Sequence, residues 1–405
     1  MKRLLLLMDG VAEDPLDGLG DRTPLEAAVI PTFDELAREG TVIWSAPSPE
    51  ELRPHPEVAC LSLLGYDPLL TWTGRGAFAA LGYGLTLPPR AVALLCHFAS
   101  TDGETLLEPV VDDLSDQDWR QLVELVKSEI IKSPLTFVPL DHGYGLLLWE
   151  DGNPQINNKV PPDEAVGDLV AAHLPTGEGE GILQRLIFDS FELLDDHEIN
   201  ERRRDEGQAP ANLLWMFEPG LAPRIPSLRV MAGMIRGDCL SDHLPVRGAC
   251  RAAGLRLNRA PESQLDRVVE CYELLLAKTS DLLLATDLLV VHLRAPDMAA
   301  HRLDVDLKIY CLERFDEIVL KPLLDRLGQF EDARMLVACT QRTSSQTGKH
   351  ASGAVPLVMF PSTGKRFSSD EFHELAACEE GLHVDRGFEV AKMFLDIDVP
   401  IGWGV

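Results

Sequence analysis

The sequence predicts an α/β protein with a doubly wound, mostly parallel β-sheet and a smaller inserted α+β domain. The apolar run at residues 4–8 is typical of a strand buried in a parallel sheet that helices cover on both faces. Similar runs alternate with helical patterns along most of the 405 residues. Residues 105–226 differ, because they are more acidic and irregular and contain the Gly/Pro-rich segment LPTGEGEG.

The N-terminal residues predict a complete βαβ unit. The opening apolar run is too short for a secretory signal, since Asp9 interrupts it after Met8. In TPLEAAVIPTFDELAREG, Thr23 is placed to cap a first helical turn, and Gly40 is placed to end the helix. The strand TVIWSA follows.

The rest of the chain continues the alternation. Further strands are predicted at 91–100, 137–150, 227–235, 287–293, 335–340 and 355–361. Helices are predicted at 116–130, 180–207, 262–280 and 304–327. We therefore expect a core domain formed by residues 1–104 and 227–405, with an inserted domain at 105–226.

Composition excludes several classes of partner. The formal net charge of −28 would repel phosphate backbones and anionic membrane surfaces, so no nucleic-acid or membrane partner is expected. No apolar run approaches the roughly 20 residues of a membrane span. The eight cysteines form no C-x-x-C pair, which is typical of reduced thiols. We expect a soluble, cytoplasmic protein, and the sequence leaves its oligomeric state open.

Three residues are candidate metal ligands. Asp297 and His301 are four positions apart after a predicted strand, and on a helix this spacing places both side chains on one face. A surface ion pair is the alternative for that pair. His350, in a Gly-, Ser- and Thr-rich loop, could complete a carboxylate and two-imidazole site, or it could be an exposed loop histidine.

Two further positions are candidates on weaker grounds. Asp9 follows the first strand, and ligands of open α/β sheets bind at the carboxyl ends of strands. A turn or cap residue is the alternative there. The triplet Gly74-Arg75-Gly76 could present a guanidinium to an anionic oxygen pair, although such triplets are common.

Taken in order, these and other stretches resemble one family. They are LLLLMDG, TPLEAAVIPTFDELAREG, LSLLGYDP, TGRGAFAALGYG, PAN at 210–212, VRGACRAAGL, VVHLRAPDMAAH, GKHASGAVPLVMF and ELAACEEGL. The chain resembles, over nearly its whole length, the archaeal-type 2,3-bisphosphoglycerate-independent phosphoglycerate mutases, a branch of the alkaline phosphatase superfamily. The resemblance implies an alkaline-phosphatase-type sheet and a metal-dependent isomerase that moves a phosphoryl group between the 2- and 3-positions of glycerate through a phosphoserine.

The resemblance also implies a site for two divalent metal ions, of which Mn, Zn and Mg are the candidates. One ion would be held by residues that match Asp297, His301 and His350. The other would be held by the acid that matches Asp9, by the nucleophilic serine and by an adjacent Asp-His pair.

This chain departs from the family pattern at that second ion. Where the family has a stretch like SDVAHLSLLGYDP, this chain has PEVACLSLLGYDP, so Pro56 replaces the nucleophile, Glu57 the next acid and Cys60 the histidine. Gln341 and Arg342 replace the Asp-His pair. We therefore expect one metal site rather than two, and no catalytic residue is assigned at the nucleophile position.

The expected substrate contacts are also reduced. Two arginines of the family pattern are replaced here, one by Leu95 in LLCH and one near Phe217 after PAN. Arg75 and Arg247 remain as candidate phosphate contacts. The expected partner is a small phosphorylated or carboxylated ligand.

Arg342 and Lys349 are the other candidate phosphate contacts. A guanidinium at position 342 could replace the charge of the lost metal ion, by neutralising Asp9 or by binding a phosphate bidentately. Since a lone buried carboxylate is costly, Asp9 is expected to have a replacement partner.

Two functions are compatible with these residues. The first is a catalytically impaired homologue that keeps one metal and a ligand site. The second is an active metal-dependent phosphatase or phosphotransferase whose nucleophile is Ser62, Thr343 or Ser344, with His55 or His97 as a further ligand. A hydroxyl oxygen within about 4 Å of the predicted metal ligands would favour the second. A complete mutase with a displaced alignment and a structural partner role are the remaining alternatives.

Overall fold

A computed structural model describes residues 1–233 and 236–397, and these divide into two compact units. The core unit comprises Met1–Trp72 and the described chain from Arg224 onward, and the inserted unit is Thr73–Pro223. The inserted unit begins earlier than the predicted residue 105. The reason is that the strand Val92–Thr101, which was expected in the core, is the central strand of the inserted sheet.

The core unit contains an eight-stranded sheet in the order β15-β2-β14-β11-β1-β10-β8-β9. Its strands are β1 Lys2–Met8, β2 Thr41–Ser45, β8 Gly237–Ser241, β9 Arg256–Arg259, β10 Leu288–Leu293, β11 Ala333–Cys339, β14 Val355–Phe360 and β15 Leu382–Val384. Only β14 runs antiparallel to its neighbours. The sheet is therefore mostly parallel, as the sequence predicts, and Leu4 to Met8 of β1 are fully buried within it.

The strand predicted at residues 227–235 is wrong. Leu228–Ala232 forms a short helix, and the strand of this part of the sheet is Gly237–Ser241. Extended Ser227 at the N-cap and left-handed Gly233 (φ 63°) favour the helix, while the short sequence GDCLS lacks the apolar run of a typical buried strand. Met234 and Ile235 lie outside the described residues.

Helices cover both faces of this sheet. They are α1 Pro24–Ala27, α2 Pro31–Glu39, α3 Pro56–Leu63, α4 Pro68–Thr71, α9 Leu228–Ala232, α10 Leu244–Ala252, α11 Val268–Ala285, α12 Ala295–His301, α13 Val305–Phe315, α14 Lys321–Leu327, α15 Glu374–Glu380 and α16 Gly387–Leu395, with a 3-10 turn at Asp17–Leu19 and a π-helical segment at Asp316–Leu320. Thr23 caps α1 in a capping box with Glu26, as predicted. Pro31 begins a separate helix there, so the single predicted helix is two.

The N-terminus of α2 is capped by a residue that is distant in sequence. The N-cap Ile30 has no side-chain acceptor, and Asp316 accepts hydrogen bonds from the backbone N–H groups of Thr32 (3.0 Å) and Phe33 (2.9 Å). Asp316 is 2% exposed, and burial raises the pKa of this carboxyl although the bonds from Phe33 and Thr32 act in the opposite direction.

We expect Asp316→Ala to lower the free energy of unfolding by about 2 kcal/mol, because it leaves buried N–H donors of α2 without acceptors. Urea unfolding followed by circular dichroism measures this. The matched control is Asp325→Ala, whose carboxylate is exposed and pairs with Lys321 on the surface. We expect it to change the unfolding free energy by less than about 0.5 kcal/mol. Equal effects of both changes would contradict a capping role for Asp316.

The inserted unit is an antiparallel sheet with helices. Its strands are β3 Val92–Thr101, β4 Leu106–Glu108, β5 Leu135–Pro139, β6 Tyr144–Trp149 and β7 Leu213–Leu221, and its helices are α5 Arg75–Tyr83, α6 Asp116–Glu129, α7 Glu180–Leu194 and α8 Glu198–Asp205, with 3-10 turns at Pro162–Glu164 and Val170–His173. β3 pairs with β4, β6 and β7. The strand predicted at 137–150 is a hairpin of β5 and β6, and the helix predicted at 180–207 is two helices. Within the described residues, no helix is both long and apolar enough to cross a membrane.

Candidate metal centre

Three side chains converge at the carboxyl edge of the core sheet. Asp297 and His301 lie on α12, which follows β10, and His350 begins the two-residue strand β13, His350–Ala351. Asp297 Oδ2 lies 3.3 Å from His301 Nε2, and Asp297 Oδ1 lies 3.3 Å from His350 Nε2. The two Nε2 atoms are 3.1 Å apart. The structure thus brings together the three predicted ligands, and among the described residues they form the cluster suited to a metal ion.

The tautomers of both imidazoles follow from their backbone partners. His301 Nδ1 lies 2.6 Å from the Gly348 carbonyl oxygen, and His350 Nδ1 lies 2.9 Å from the Pro54 carbonyl oxygen. A carbonyl only accepts, so each Nδ1 carries the proton and donates it. When both rings are neutral, each Nε2 lone pair points toward the other ring and toward Asp297. Such an arrangement is repulsive unless a cation lies between the three groups.

The donor set fits a divalent transition metal. Two imidazole nitrogens and one carboxylate are the ligands that zinc and similar ions take in hydrolytic sites. In the absence of the ion, a proton on Nε2 of one imidazole can supply part of the positive charge that Asp297 faces. Burial raises the pKa of Asp297, but hydrogen bonds and charge from His301 and His350 outweigh it and hold this pKa well below its usual range.

Thr343 orients the carboxylate ligand. Thr343 lies on the short strand β12, Arg342–Thr343, directly opposite His350 on β13. Its Oγ1 donates a 2.6 Å hydrogen bond to Asp297 Oδ1, and the side chain is fully buried. The β12–β13 pair therefore holds one ligand and the residue that orients another.

We expect Thr343→Val to weaken metal binding by about tenfold, since hydrogen bonds to ligating groups typically contribute 10–100-fold to affinity. Thr343→Ser keeps the hydroxyl and should retain most of the affinity. Isothermal titration calorimetry with Zn²⁺ and Mn²⁺ measures both. Equal losses in the two variants would show that the methyl packing, and not the hydrogen bond, supports the centre.

Gly10 allows β1 to approach this cluster. A Cβ atom at Gly10 would lie 2.3 Å from Asp297 Oδ1 and 2.7 Å from Thr343 Oγ1, and the residue has a positive φ of 61°. Only glycine combines that conformation with so little space. Gly10 thus lets the end of β1 lie directly against Asp297 and Thr343.

Asp9 itself is occupied by other partners. Its Oδ2 lies 2.6 Å from His292 Nε2, and its Oδ1 accepts a 2.8 Å hydrogen bond from Thr340 Oγ1. His292 Nδ1 in turn lies 3.0 Å from Ser241 Oγ. Asp9, His292 and Ser241 are all buried, so this chain of hydrogen bonds supplies the expected replacement partner of Asp9.

Three of the positions expected around a second ion no longer carry the ligand of the family pattern. Pro56 is the first residue of α3, a position whose backbone N–H has no partner within the helix, so its missing N–H has no cost. Its side chain offers no ligand atom. Gln341 is 2% exposed, and within the described chain neither atom of its amide has a hydrogen-bond partner. A neutral amide is a poor substitute for an Asp or a His ligand. Cys60 faces another thiol instead, with its Sγ 3.7 Å from Cys250 Sγ.

The predicted pairing of Arg342 with Asp9 is wrong. Arg342 Nη2 lies 2.5 Å from Asp14 Oδ1, and it also donates to the Glu13 carbonyl oxygen at 3.5 Å. The reason is that β12 runs beside Ala12, which places Arg342 next to the loop after β1 and not at the strand end. Lys349 is exposed in the turn between β12 and β13. Phosphate binding by either residue stays a prediction.

The other predicted contacts belong to further helices and strands. Arg75 begins α5 in the inserted unit, with its Nε 3.8 Å from Oε2 of Glu218, a buried residue with a positive φ of 50°. Leu95 and Phe217 are direct cross-strand neighbours on β3 and β7. His97 in this sheet contacts Phe217, and burial is the main cause that lowers the pKa of His97 to about 4. Arg247 lies on α10 of the core unit.

A buried ion pair supports the loop that carries Thr343. Lys308 Nζ lies 2.7 Å from Glu13 Oε2 and donates a 3.0 Å hydrogen bond to the Thr343 carbonyl oxygen. The Glu13 carboxylate also accepts from the backbone N–H (2.5 Å) and the hydroxyl (2.8 Å) of Ser345. Burial lowers the pKa of Lys308, and the charge of Glu13 opposes that shift. Lys308 and Glu13 therefore support the loop that places Thr343 beside the candidate metal ligands.

Sequence reasoning missed His292, Thr340, Lys308 and Glu13. His292 had a usable signal, since it is the polar residue in the apolar strand LLVVHL. Lys308 had none, because a lysine in an amphipathic helix is normally solvent-exposed. Its burial becomes visible only when α13 packs beside the loop after β1.

The fold and the triad define a doubly wound α/β protein with a metal-ligand cluster at the carboxyl edge of its sheet. A profile described as 2,3-bisphosphoglycerate-independent phosphoglycerate mutase matches residues 37–200. The chain is 31% identical over 401 residues to a probable 2,3-bisphosphoglycerate-independent phosphoglycerate mutase of Geobacter sulfurreducens, with 98% of this chain and 100% of the relative covered. An enzyme of that name from Methanothrix thermoacetophila is 30% identical over 98% of this chain and 100% of its own.

Solved structures agree with these relatives. A Pyrococcus horikoshii protein superimposes with a TM-score of 0.76 and 26% identity, covering 99% of each chain. The cofactor-independent phosphoglycerate mutase of Thermoplasma acidophilum gives a TM-score of 0.60 at 23% identity, covering 98% of this chain and 99% of that one, and so supports the fold. The chain belongs to the 2,3-bisphosphoglycerate-independent phosphoglycerate mutase family.

Proposed function

We propose that this protein is a single-metal member of the family that binds a small phosphorylated or carboxylated ligand and does not interconvert phosphoglycerates. The observation that carries the proposal is the contrast between two carboxylates at the same sheet edge. Asp297 faces two imidazole Nε2 atoms that need a cation. Asp9 has both oxygens in short hydrogen bonds to His292 and Thr340.

Asp297, His301 and His350 would hold the ion. A divalent cation supplies Lewis-acid polarisation of a phosphoryl or carboxyl oxygen. The chain's own residues do the rest, since Gly348 and Pro54 fix the imidazoles and Thr343 fixes the carboxylate.

Two losses argue against the mutase reaction. A phosphoserine route requires a nucleophile, and Pro56 offers none at the position where the family resemblance places it. The second loss concerns substrate binding, because Leu95 stands where one arginine is expected and the other expected arginine is missing near Phe217. Leu95 pairs directly with Phe217 across β3 and β7, so this part of the sheet presents an apolar contact and not a guanidinium group.

The alternative of an active phosphatase or phosphotransferase has one observation in its favour. Thr343 Oγ1 lies 2.6 Å from Asp297 Oδ1, within the distance expected of a relocated nucleophile. However, Thr343 is fully buried and donates its hydroxyl hydrogen to the Asp297 carboxylate. Both facts favour a residue that orients this ligand over a nucleophile. Ser62 is equally buried, and Ser344 accepts from the backbone N–H groups of Gln346 and Thr347 in its turn.

Metal content and activity together test the proposal. Mass spectrometry of the purified chain should find about one transition metal ion per protein, and coupled assays should find no conversion of 3-phosphoglycerate to 2-phosphoglycerate at saturating metal. Robust mutase turnover would refute the proposal. Hydrolysis of p-nitrophenyl phosphate that survives Thr343→Ser and is lost in Thr343→Val, both at saturating metal, would establish the phosphatase alternative.

We further propose that the protein is cytoplasmic and has neither a nucleic-acid nor a membrane partner. The eight cysteines are all free, which suits a reducing cytoplasm. The net charge of −28 disfavours nucleic acid and anionic membranes as partners.

A further inference from the structure

A buried carboxylate lies at an irregular point in the sheet of the inserted unit. The register of β3 and β7 shifts between Ala93 and Leu95, so that β7 bulges at Glu218. Glu218 has a positive φ of 50°, which is uncommon for a residue with a side chain, and its carboxylate is 4% exposed. Bulges and left-handed residues lower stability and concentrate where a side chain must point in a particular direction. Glu218 therefore calls for a functional explanation.

The carboxylate of Glu218 points toward Arg75. Glu218 Oε2 lies 3.8 Å from Arg75 Nε, and the Arg75 side chain is 20% exposed. Gly76 allows this approach, because a Cβ atom there would lie 2.2 Å from the Ala93 carbonyl oxygen and 2.9 Å from that of Glu218. The first turn of α5 thus packs directly on the bulge. The guanidinium of the Gly-Arg-Gly triplet is therefore placed beside an acid of the same unit.

The residues next to the bulge are uncharged. Leu95 pairs directly with Phe217, the residue that precedes Glu218. The rings of His97 and Phe217 have centroids 4.8 Å apart, and burial is the main cause that lowers the pKa of His97 to about 4. His97 is therefore neutral near pH 7. The charges of Arg75 and Glu218 face each other beside apolar and aromatic side chains, where charged groups interact strongly.

A buried ion pair of this kind contributes little to stability. The loss of hydration of both charges offsets most of their attraction, and well-packed apolar residues in such places are often equally stable. The positive φ of Glu218 adds a further cost. The pair does provide selectivity. An anion that approached Arg75 would have to displace the Glu218 carboxylate or lie beside it, and contact between like charges strongly disfavours binding.

We infer that Glu218 is a specificity-determining residue that excludes phosphate and carboxylate groups from Arg75. In the unaltered chain Arg75 is then not a phosphate contact, in contrast to the expectation from the family resemblance. The inference concerns the inserted unit alone. It goes beyond the proposed function and does not depend on a metal ion in the core unit.

Calorimetric titration with inorganic phosphate at constant ionic strength tests this inference, with the full chain in EDTA so that no metal-bound phosphate contributes. We expect Glu218→Gln to bind phosphate at least about tenfold more tightly than the unaltered chain, because the freed guanidinium gains an anion. Arg75→Gln alone should leave phosphate binding unchanged. Arg75→Gln combined with Glu218→Gln should also bind as the unaltered chain does. Glu192→Gln, on the exposed side of α7, is the matched control for the loss of one negative charge and should show no gain.

Glu218→Gly is a second variant that protects the test against misfolding, because glycine adopts a positive φ without strain. It should show the same gain in phosphate binding. Weaker phosphate binding by Arg75→Gln alone would overturn the inference, since Arg75 would then contact phosphate in spite of Glu218. Unchanged binding by folded Glu218→Gln and Glu218→Gly, or a gain that persists in the double variant, would overturn it as well. Because all these titrations are free of metal, their outcome leaves the single-metal proposal to its own test.

Discussion

Replacing His350 by alanine should abolish measurable metal binding, with a loss of affinity of at least about a hundredfold. The change removes one of three protein ligands and leaves Asp297 with a single imidazole. It also frees the Pro54 carbonyl that fixes the ring. His301→Ala should have an effect of similar size, although His301 is more exposed than His350. Calorimetric titrations with Zn²⁺ and Mn²⁺ measure both losses.

The chain offers a matched control for this experiment. His383 is exposed on β15 and makes a 2.6 Å hydrogen bond to the Cys378 carbonyl, so it resembles the ligand histidines in its backbone bond but not in its neighbours. His383→Ala should bind metal as the unaltered protein does. A stoichiometric site that persists in both His301→Ala and His350→Ala would show that the metal lies elsewhere.

The convergence of Asp297 and His301 could be predicted from sequence because local rules place both side chains. The four-residue spacing of Asp297 and His301 fixes their shared helical face, and parallel strands fix the edge at which α12 begins. His350 needed the family resemblance, since nothing in its own loop distinguishes a ligand from an exposed histidine. The structure supplies that distinction through the pairing of β12 with β13.

The fate of Asp9 could not be predicted, for a physical reason. Without a second metal ion, any neighbouring group can balance the charge of Asp9, and the sequence alone favours Arg342, a cation at one of the substituted positions. In the structure His292 takes that place. It lies on β10, the strand next to β1, where it is paired with Leu7, and its Nε2 contacts Asp9. The start of the inserted unit is predicted too late for a related reason. The apolar pattern of β3 predicts a buried strand, but it does not show which of the two sheets that strand joins.

The buried pair of Lys308 and Glu13 gives the largest expected effect on stability. Lys308→Met should lower the free energy of unfolding by about 3–5 kcal/mol, because it leaves the Glu13 charge buried without its cation. It also removes the donor to the Thr343 carbonyl, so metal affinity should fall as well. Urea unfolding gives the first quantity, and metal titration under native conditions gives the second.

A double variant separates charge from position. In Lys308→Met with Glu13→Gln, no charge remains buried, and the amide oxygen can still accept from Ser345. The double variant should therefore be more stable than Lys308→Met alone. Its metal affinity should stay low, since the lost bond to Thr343 is not restored. Full recovery of metal affinity in the double variant would show that the pair contributes only to stability, and that Lys308 does not position the centre.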